Sequence, residues 1–184
     1  MDINNLVGDS LELQATHASI VNVADIKFNE EFRAMCEKNV CGSYNKNWMC
    51  PPAVGPISEL KERVLEFTQG LLLQTVHEIK SSFDWKGMMS AAVSHTVIFR
   101  NILERIEENY DLDKILPLNA GPCTFCAKCA FLEDEPCRFP DKALFSVEAC
   151  GIDVMALEKS CGMPYYNGKN TVSYVGLILF KLND

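Results

Sequence analysis

The chain has 184 residues, of which 48% are hydrophobic and 23% charged, a balance typical of one globular domain and unlike that of a disordered protein. Its formal net charge of −8 argues against nucleic acid and anionic lipid as partners, because both repel an acidic surface. Residues 1–10 lack the basic and apolar parts of a signal peptide, and no apolar run approaches the roughly 20 residues that span a bilayer. We therefore expect a cytoplasmic protein that binds neither nucleic acid nor membrane.

The first half of the chain predicts strands and two helices. Apolar and β-branched residues over 18–28 are typical of a first strand. Asn29 is suited to cap a short helix over 30–37, whose acidic first turn matches the helix dipole. A second helix is predicted over 58–69, with its first residue, a serine, as the N-cap. Residues 71–79 favour a strand, although a continuing helix is also compatible with them.

The second half predicts the main packing helix and a buried strand. Residues 86–110 place apolar side chains every three or four positions, with glutamates facing outward. A short strand is expected over 115–118, one or two short helices over 146–159, and a strand buried on both faces over 172–182. This alternation predicts an α/β fold. We expect one compact domain over 1–184, with a small mixed sheet, flanking helices and cysteine-rich metal-binding loops.

The nine cysteines are the most informative feature of the composition. An odd number without an export signal argues against a disulfide framework. Cytoplasmic thiols stay reduced, so clustered cysteines there indicate metal ligands or redox groups, whereas scattered ones pack as small apolar residues. The spacing of the cysteines must decide between these two interpretations.

The most closely spaced cysteines follow Gly121-Pro122. Three are arranged as C-x2-C-x2-C and a fourth comes after seven further residues, so that the set is Cys123, Cys126, Cys129 and Cys137. A short loop with two residues between ligands can wrap one face of a four-iron cluster. The pattern resembles the bacterial ferredoxin run, in which only three residues precede the fourth cysteine. We predict that these cysteines bind an iron–sulfur cluster of the 4Fe-4S type, with tetrahedral zinc as the alternative.

A second cysteine set lies nearer the N-terminus with the spacing C-x4-C-x8-C, and consists of Cys36, Cys41 and Cys50. Three thiolates leave one of four ligand positions open, for which Cys161, Cys150 or a non-protein ligand are candidates. An iron without a protein thiolate could bind substrate, by the logic that leaves catalytic zinc an open position. We predict a second metal site on this set together with Cys161. The alternatives are a single cluster with spare thiols here, or an exchange of ligands between clusters, because Cys50 precedes a proline.

Several motifs together resemble one family. They are Cys41-Gly-Ser-Tyr, Trp48-Met-Cys-Pro-Pro, Gly121-Pro-Cys-x-x-Cys-x-x-Cys-Ala, Pro136-Cys-Arg-Phe-Pro and Glu148-Ala-Cys-Gly-Ile-Asp-Val. This combination is similar to the uncharacterised, cysteine-rich "predicted metal-binding protein" family of bacteria and archaea, from about Cys36 to the last strand. The resemblance implies metal binding without naming a reaction. It also implies that Cys150 is not a ligand, because members often lack a cysteine there.

The remaining residues do not point to another chemistry. His17 and His77 have no ligand-like partner at helical or turn spacing, and His95 falls on the apolar face of the main helix, where a core position is expected. The first hypothesis is a redox protein with one or two clusters, which passes electrons to a partner protein or reduces a small molecule. A zinc-binding structural or interaction module and a metal-handling protein are the alternatives.

Overall fold

The computed structural model describes residue 3 and residues 5–183 of the chain. The helices are α1 (Asn5–Glu12), α2 (Glu30–Glu37), α3 (Ile57–Leu65), α4 (Trp85–Asn109) and α5 (Val154–Ser160). The strands are β1 (His17–Asn22), β2 (Gln69–Glu78), β3 (Leu112–Asn119), β4 (Phe145–Ser146) and β5 (Thr171–Leu182). Within this part of the chain, no helix is both long and apolar enough to cross a membrane.

The five strands form one mixed sheet in the order β1-β2-β5-β3-β4. All neighbours are antiparallel except β4, which pairs with β3 in parallel. Strand β5 pairs with β2 from Thr171 opposite Glu78 to Phe180 opposite Gln69. Residues 175–180 of β5 are all buried, which confirms the prediction of a strand covered on both faces.

Helices cover both faces of this sheet. Leu177 of β5 belongs to a core cluster with Leu60 of α3 and Leu157 of α5. The next residue, Ile178, points to the opposite face and belongs to a second cluster with Ile102 of α4. This division follows from the alternation of side chains along a strand. The predicted α/β fold with a small mixed sheet and flanking helices is confirmed.

The predicted helices are present, but the predicted start and the predicted end of α3 are both wrong. Helix α2 has the predicted bounds, and the Asn29 side chain accepts a hydrogen bond from the Glu31 N–H at 2.9 Å. Helix α3 begins with Pro56 at the cap position and no side-chain cap, so the prediction that Ser58 is the N-cap is wrong. It ends at Leu65 instead of continuing to Gln69, because Gln69 is the first residue of β2 and pairs with both β1 and β5.

Two other predicted elements are shorter than expected. The first strand ends at Asn22, because a 3-10 turn over Val23–Asp25 follows it. The region 146–159 contains one helix, α5, which begins only at Val154 after a turn in which Gly151 has a φ of +69°. Asp153 caps this helix, with its side chain accepting from the Ala156 N–H at 2.9 Å. The turn places residues 148–152 beside the N-terminal region, where Phe28 forms a β-bridge with Ile152.

Helix α4, which the apolar periodicity predicts, approaches the sheet closely at Gly176. A Cβ atom at Gly176 would lie 2.4 and 2.5 Å from two ring carbons of Phe99, a fully buried side chain of α4. A glycine in a strand interior often marks such a close approach. Helix α4 can therefore lie this close to β5 only because residue 176 has no side chain.

We predict that Gly176→Ala lowers the free energy of unfolding by about 1–3 kcal/mol, because an added methyl group in a filled core forces side chains and backbone to shift. Gly8→Ala in α1 is the matched control, since nothing lies within 4 Å of its added Cβ and alanine favours a helix. Urea unfolding of both variants measures the effect. A Gly176→Ala variant as stable as the wild type would show that α4 can move away without cost.

His95 is a core residue, as its position on the apolar face of α4 predicts. It is 1% exposed, and its Nδ1 lies 2.8 Å from the Thr75 hydroxyl, which is also 2.9 Å from His77 Nε2. Burial lowers the pKa of His95 to about 4. The ring is therefore neutral in the folded protein at pH values where an exposed histidine is charged.

This lowered pKa predicts a loss of stability in mild acid. The unfolded chain takes up a proton on His95 below its ordinary pKa of 6.5, whereas the folded chain does so only near 4. The stability that depends on a neutral His95 is therefore fully present above pH 6.5 and is lost as the pH falls toward 4. Between about pH 7 and about pH 5, we expect the wild type to lose on the order of 1–2 kcal/mol more than His95→Gln. Urea unfolding at both pH values measures this difference, and equal losses would contradict it.

Candidate metal centre

The C-terminal cysteine set lies on the connection between two neighbouring strands. Strand β3 ends at Asn119 and the chain returns at Phe145 to pair with it in parallel. Residues 120–144 therefore form a long excursion that starts and ends at the same place in the sheet. The excursion has 3-10 turns at Ala130–Glu133 and Pro140–Lys142 as its only regular structure among the described residues. Its shape must come from side-chain contacts and from whatever its cysteines bind.

Four thiols of this excursion line one small cavity. Each of the four is partly buried, and the set is the predicted one, namely Cys123, Cys126, Cys129 and Cys137. The rest of the lining is mainly apolar and consists of Trp48, Met49, Phe125, Phe139 and Ala143, with the side chain of Asn47. The structure thus brings together all four cysteines of the C-x2-C-x2-C motif and its extension.

Residues of the N-terminal loop hold one side of this excursion. The Asn47 side chain donates a hydrogen bond to the Cys123 carbonyl at 2.8 Å. The indole N–H of Trp48 donates to the Glu135 carbonyl at 2.9 Å, and its ring meets Phe131 edge-on at 5.0 Å. These contacts join segments that are far apart in the sequence. They connect the two cysteine-bearing loops directly.

Helix α4 holds the other side of the excursion. The Arg100 guanidinium lies over the Phe125 ring at 4.8 Å and donates to the Lys142 carbonyl at 3.0 Å. Phe125 in turn meets Phe139 edge-to-face at 5.1 Å. A cation over an aromatic ring and an edge-to-face ring pair are both stabilising arrangements. The excursion is therefore held from two sides, by the N-terminal loop and by α4.

Two of the three cations in the excursion pair with the same carboxylate. Lys128 forms an ion pair with Glu133 at 2.9 Å, and Arg138 forms a second one with the same carboxylate. Arg138 also donates to the Lys128 carbonyl at 3.2 Å. The hydrogen bond from Lys128, followed by that from Arg138, lowers the pKa of Glu133. The excursion as a whole contains three cations and four carboxylates, so the positive charge of Lys128 and Arg138 is local to the neighbouring Cys129 and Cys137.

Electrostatic interactions connect the three cysteines of the N-terminal set to one another, and Cys50 also to the first set. The pKa of the Cys50 thiol is raised to about 12, first by burial and then by the nearby thiols of Cys41, Cys36, Cys123 and Cys129. Neighbouring thiolates repel one another, so each of these cysteines disfavours the charged form of Cys50. Cys50 therefore lies close to members of both cysteine sets.

Cys36 connects the N-terminal set to a carboxylate. Its pKa is raised first by burial and then by the charge of Glu148. Arg33, on the same helix, donates to the Ala149 carbonyl at 3.1 Å and to the Gly55 carbonyl at 2.6 Å. These bonds fix α2 against the turn that carries Glu148. The carboxylate is thus positioned beside the second cysteine set by the main chain around it.

The last two cysteines are placed differently. Cys150 is fully buried in the core cluster shared with α3 and α5, and burial raises its pKa to about 12. Cys161 is the C-terminal cap of α5, with its sulfur 3.9 Å from the Ser160 hydroxyl. Cys161 packs against the same core cluster, and it is not among the groups whose charges chiefly raise the pKa of Cys36 and Cys50. Its assignment as the fourth ligand stays a prediction.

The arrangement of donors bears on what the site can hold. Among residues 3 and 5–183, no three Cys, His, Asp or Glu side chains are arranged to hold one metal ion. A tetrahedral zinc requires its four sulfurs at about 2.3 Å from a single point. A four-iron cluster instead takes one thiolate at each iron, so its ligands surround a cavity. Four thiols around a common cavity match the second requirement in their placement, although this cavity, of about 20 Å³, would have to widen to admit the cluster.

The comparison with known proteins agrees with the cysteine pattern. Residues 19–180 match the model of a family described as predicted metal-binding protein (DUF2284). The chain belongs to this family. No curated protein and no solved structure matches it. The matched region contains both cysteine sets, so the expected resemblance is confirmed and metal binding is supported at the level of the family.

Asn47 is a residue of the site that the sequence analysis did not identify, because its hydrogen-bond partner Cys123 lies far away in the chain. It is buried, and besides donating to Cys123 it accepts from the Met49 N–H at 2.9 Å. The signal that could have identified it is its place two residues before the Met-Cys-Pro-Pro motif. Its single side chain satisfies main-chain groups on both cysteine loops.

We predict that Asn47→Ala lowers the free energy of unfolding by about 1–3 kcal/mol, because a partly buried carbonyl and a partly buried N–H lose their partner. It should also speed the release of bound metal to a chelator, since the loop that carries Cys123 is less restrained. Asn101→Ala, exposed on α4, is the control and should change neither quantity. Denaturation curves and the absorbance during chelation measure the two effects. A variant with the wild-type free energy of unfolding and the wild-type rate of metal release would show that Asn47 has no role in the site.

Proposed function

We propose that the protein is an iron–sulfur protein whose 4Fe-4S cluster is held by Cys123, Cys126, Cys129 and Cys137, and that it acts in electron transfer or small-molecule reduction. The observation that carries this proposal is the single cavity lined by all four thiols. When bound, such a cluster supplies one-electron redox chemistry. The spacing of the cysteines and membership of a predicted metal-binding family support the same assignment.

The chain's own residues suit this role. The apolar walls of the cavity limit the access of water, and Lys128 and Arg138 add positive charge beside it. Burial and local charge are two of the properties by which a protein sets the potential of a cluster. Phe125 and Phe139 line the cavity and are 42% and 47% exposed, so the cavity lies close to the surface. This position suits electron exchange with a redox partner protein in the cytoplasm, where thiols stay reduced.

We further propose a second metal centre on Cys36, Cys41 and Cys50. Its support is the proximity of these thiols to one another and of Cys50 to the first set. A positive metal centre would favour deprotonation of Cys36 and Cys50, whose pKa values are raised by burial and by neighbouring charges. With three protein thiolates, the fourth position would take Cys161 after a rearrangement, or a small-molecule substrate. The second case would make this centre the site of reduction.

Anaerobic purification tests the proposal. Near-equal iron and acid-labile sulfide, at about four of each per chain for one cluster or about eight for two, with a colour that dithionite bleaches, would support it. EPR of the reduced protein then reports whether one or two centres are present. A colourless, redox-inactive protein with bound zinc would overturn the proposal in favour of a structural or interaction module. Metal of variable stoichiometry that exchanges readily would instead indicate metal handling.

We predict that Cys126→Ser loses most of the iron of the first cluster and is less stable than the wild type, because the binding energy of a cluster is coupled to folding. Cys150→Ser is the matched control, since Cys150 is buried in the core and outside the cavity. It should keep the wild-type iron content and EPR signal. Iron analysis and EPR of anaerobic samples compare the two. Full iron in Cys126→Ser, or its loss in Cys150→Ser, would reject the ligand assignment.

The triple variant Cys36→Ser, Cys41→Ser, Cys50→Ser tests the second centre. If two four-iron clusters are present, we expect this variant to lose about half of the iron and to retain the EPR signal of the first cluster. The thiols of the C-terminal excursion are unchanged in it, so the first cluster has all its ligands. Iron per chain and the EPR spectrum measure the result. An unchanged iron content would eliminate the second centre.

A further inference from the structure

A second cavity, of about 530 Å³, lies between α2, the turn before α5, α5 itself and the first half of β5. Its volume is within the range of roughly 300–1,000 Å³ that is common for small-molecule sites. Most of its lining is apolar, and the apolar wall includes Phe32, Val147, Ile152, Val154 and Val175. Its other lining residues include Glu148 and Glu158 and the exposed rings of Tyr165 and Tyr166. None of the cysteines lines it.

Glu158 is a buried carboxyl group with one unpartnered oxygen. The residue is 1% exposed, and its Oε1 accepts a hydrogen bond from the Gln74 side chain. Its Oε2 is buried and has no hydrogen-bond partner among the described residues. Gln74 is itself held, because it donates to the Pro164 carbonyl at 3.0 Å and accepts from Asn167 at 3.3 Å. Leaving a buried carboxyl oxygen unpaired is costly, so a ligand that donates to it after the side chain turns toward the cavity would be stabilised.

Glu148 provides a second acceptor in the same cavity. Its Oε2 is also buried without a hydrogen-bond partner in the described part of the chain. Its charge acts on Cys36, as the raised pKa of that thiol shows. Phe32 lines the cavity one helical turn before Cys36, and side chains four residues apart share a helix face. The cavity therefore adjoins the N-terminal cysteine set.

We propose that this cavity binds a small organic molecule with an apolar or aromatic body and a cationic or N–H-bearing nitrogen. The apolar wall accommodates the body, and the free oxygens of Glu158 and Glu148 accept hydrogen bonds from the nitrogen. Two carboxyl groups in an acidic protein disfavour anionic ligands. The exposed tyrosine rings can cover the ligand, since aromatic faces attract cations and other rings. The inference that this molecule is the substrate of the second centre rests on the proposed function, whereas the binding itself does not.

Calorimetric titration of the anaerobically purified protein at about pH 7 tests the binding. The probes are benzylamine and the larger tryptamine as cations, with benzyl alcohol and benzoate as neutral and anionic counterparts. We expect saturable binding of at least one amine, weaker binding of benzyl alcohol and none of benzoate. Glu158→Gln keeps the size of the side chain and an oxygen for Gln74, but should weaken the binding of the amine about tenfold or more, because a charge-assisted hydrogen bond is lost. Glu104→Gln, exposed on α4, is the matched control and should bind like the wild type.

Glu148→Gln is a second variant in case Glu158→Gln folds poorly, which thermal unfolding would reveal, and it should also weaken the binding. The inference is overturned by absence of saturable binding of both amines, by stronger binding of benzoate, or by unchanged amine affinity in the correctly folded Gln variants.

Iron and sulfide analysis of the same samples separates the test of amine binding from the test of the proposed function. Full iron without amine binding rejects only the ligand site, and amine binding without iron rejects only the cluster. A change in the EPR spectrum on amine binding that is absent from the triple serine variant would link the ligand to the second centre.

Discussion

Thiolates repel one another, and this protein holds several thiols close together in partly buried surroundings. Burial and the neighbouring thiols of both cysteine sets raise the pKa of Cys50 to about 12. In this position the Cys50 thiol stays protonated unless a positive centre compensates the charge of its thiolate. Metal binding and the shape of the two cysteine loops are therefore expected to depend on each other, because the loops contain little regular structure of their own.

The sheet provides the fixed frame for these loops. Strand β5 is buried on both faces and positions β3, from whose end the long excursion leaves and to which it returns at β4. The N-terminal loop follows α2 and reaches the excursion through Asn47 and Trp48. Helix α4 reaches it from another direction through Arg100. Three separate parts of the chain thus restrain the cavity lined by the four thiols, which favours a preorganised site.

The first cysteine set, the second cysteine set and the second cavity are neighbours in that order. The surface rings of Phe125 and Phe139 border the cavity of the first cysteine set, and Cys50 links that set to the second. Cys36 then lies near Glu148, which lines the neighbouring cavity. If both centres bind iron, this order suits the passage of electrons from a partner at the surface to a molecule in the second cavity. The carboxyl groups of that cavity would orient the molecule and exclude anions.

The sequence by itself determined the features whose signal is local. The periodicity of α4, the continuous apolar run of β5, the cap at Asn29 and the C-x2-C-x2-C motif could all be interpreted from neighbouring residues, because each depends on contacts within a few positions. Only the tertiary structure decided where α3 ends, since Gln69 joins the sheet through partners that are distant in the chain. It also decided that Cys50 lies near both cysteine sets, that Asn47 contacts Cys123, and that Glu148 lies near Cys36. These contacts depend on how the loops pack on the sheet, and no local pattern of residues encodes that packing.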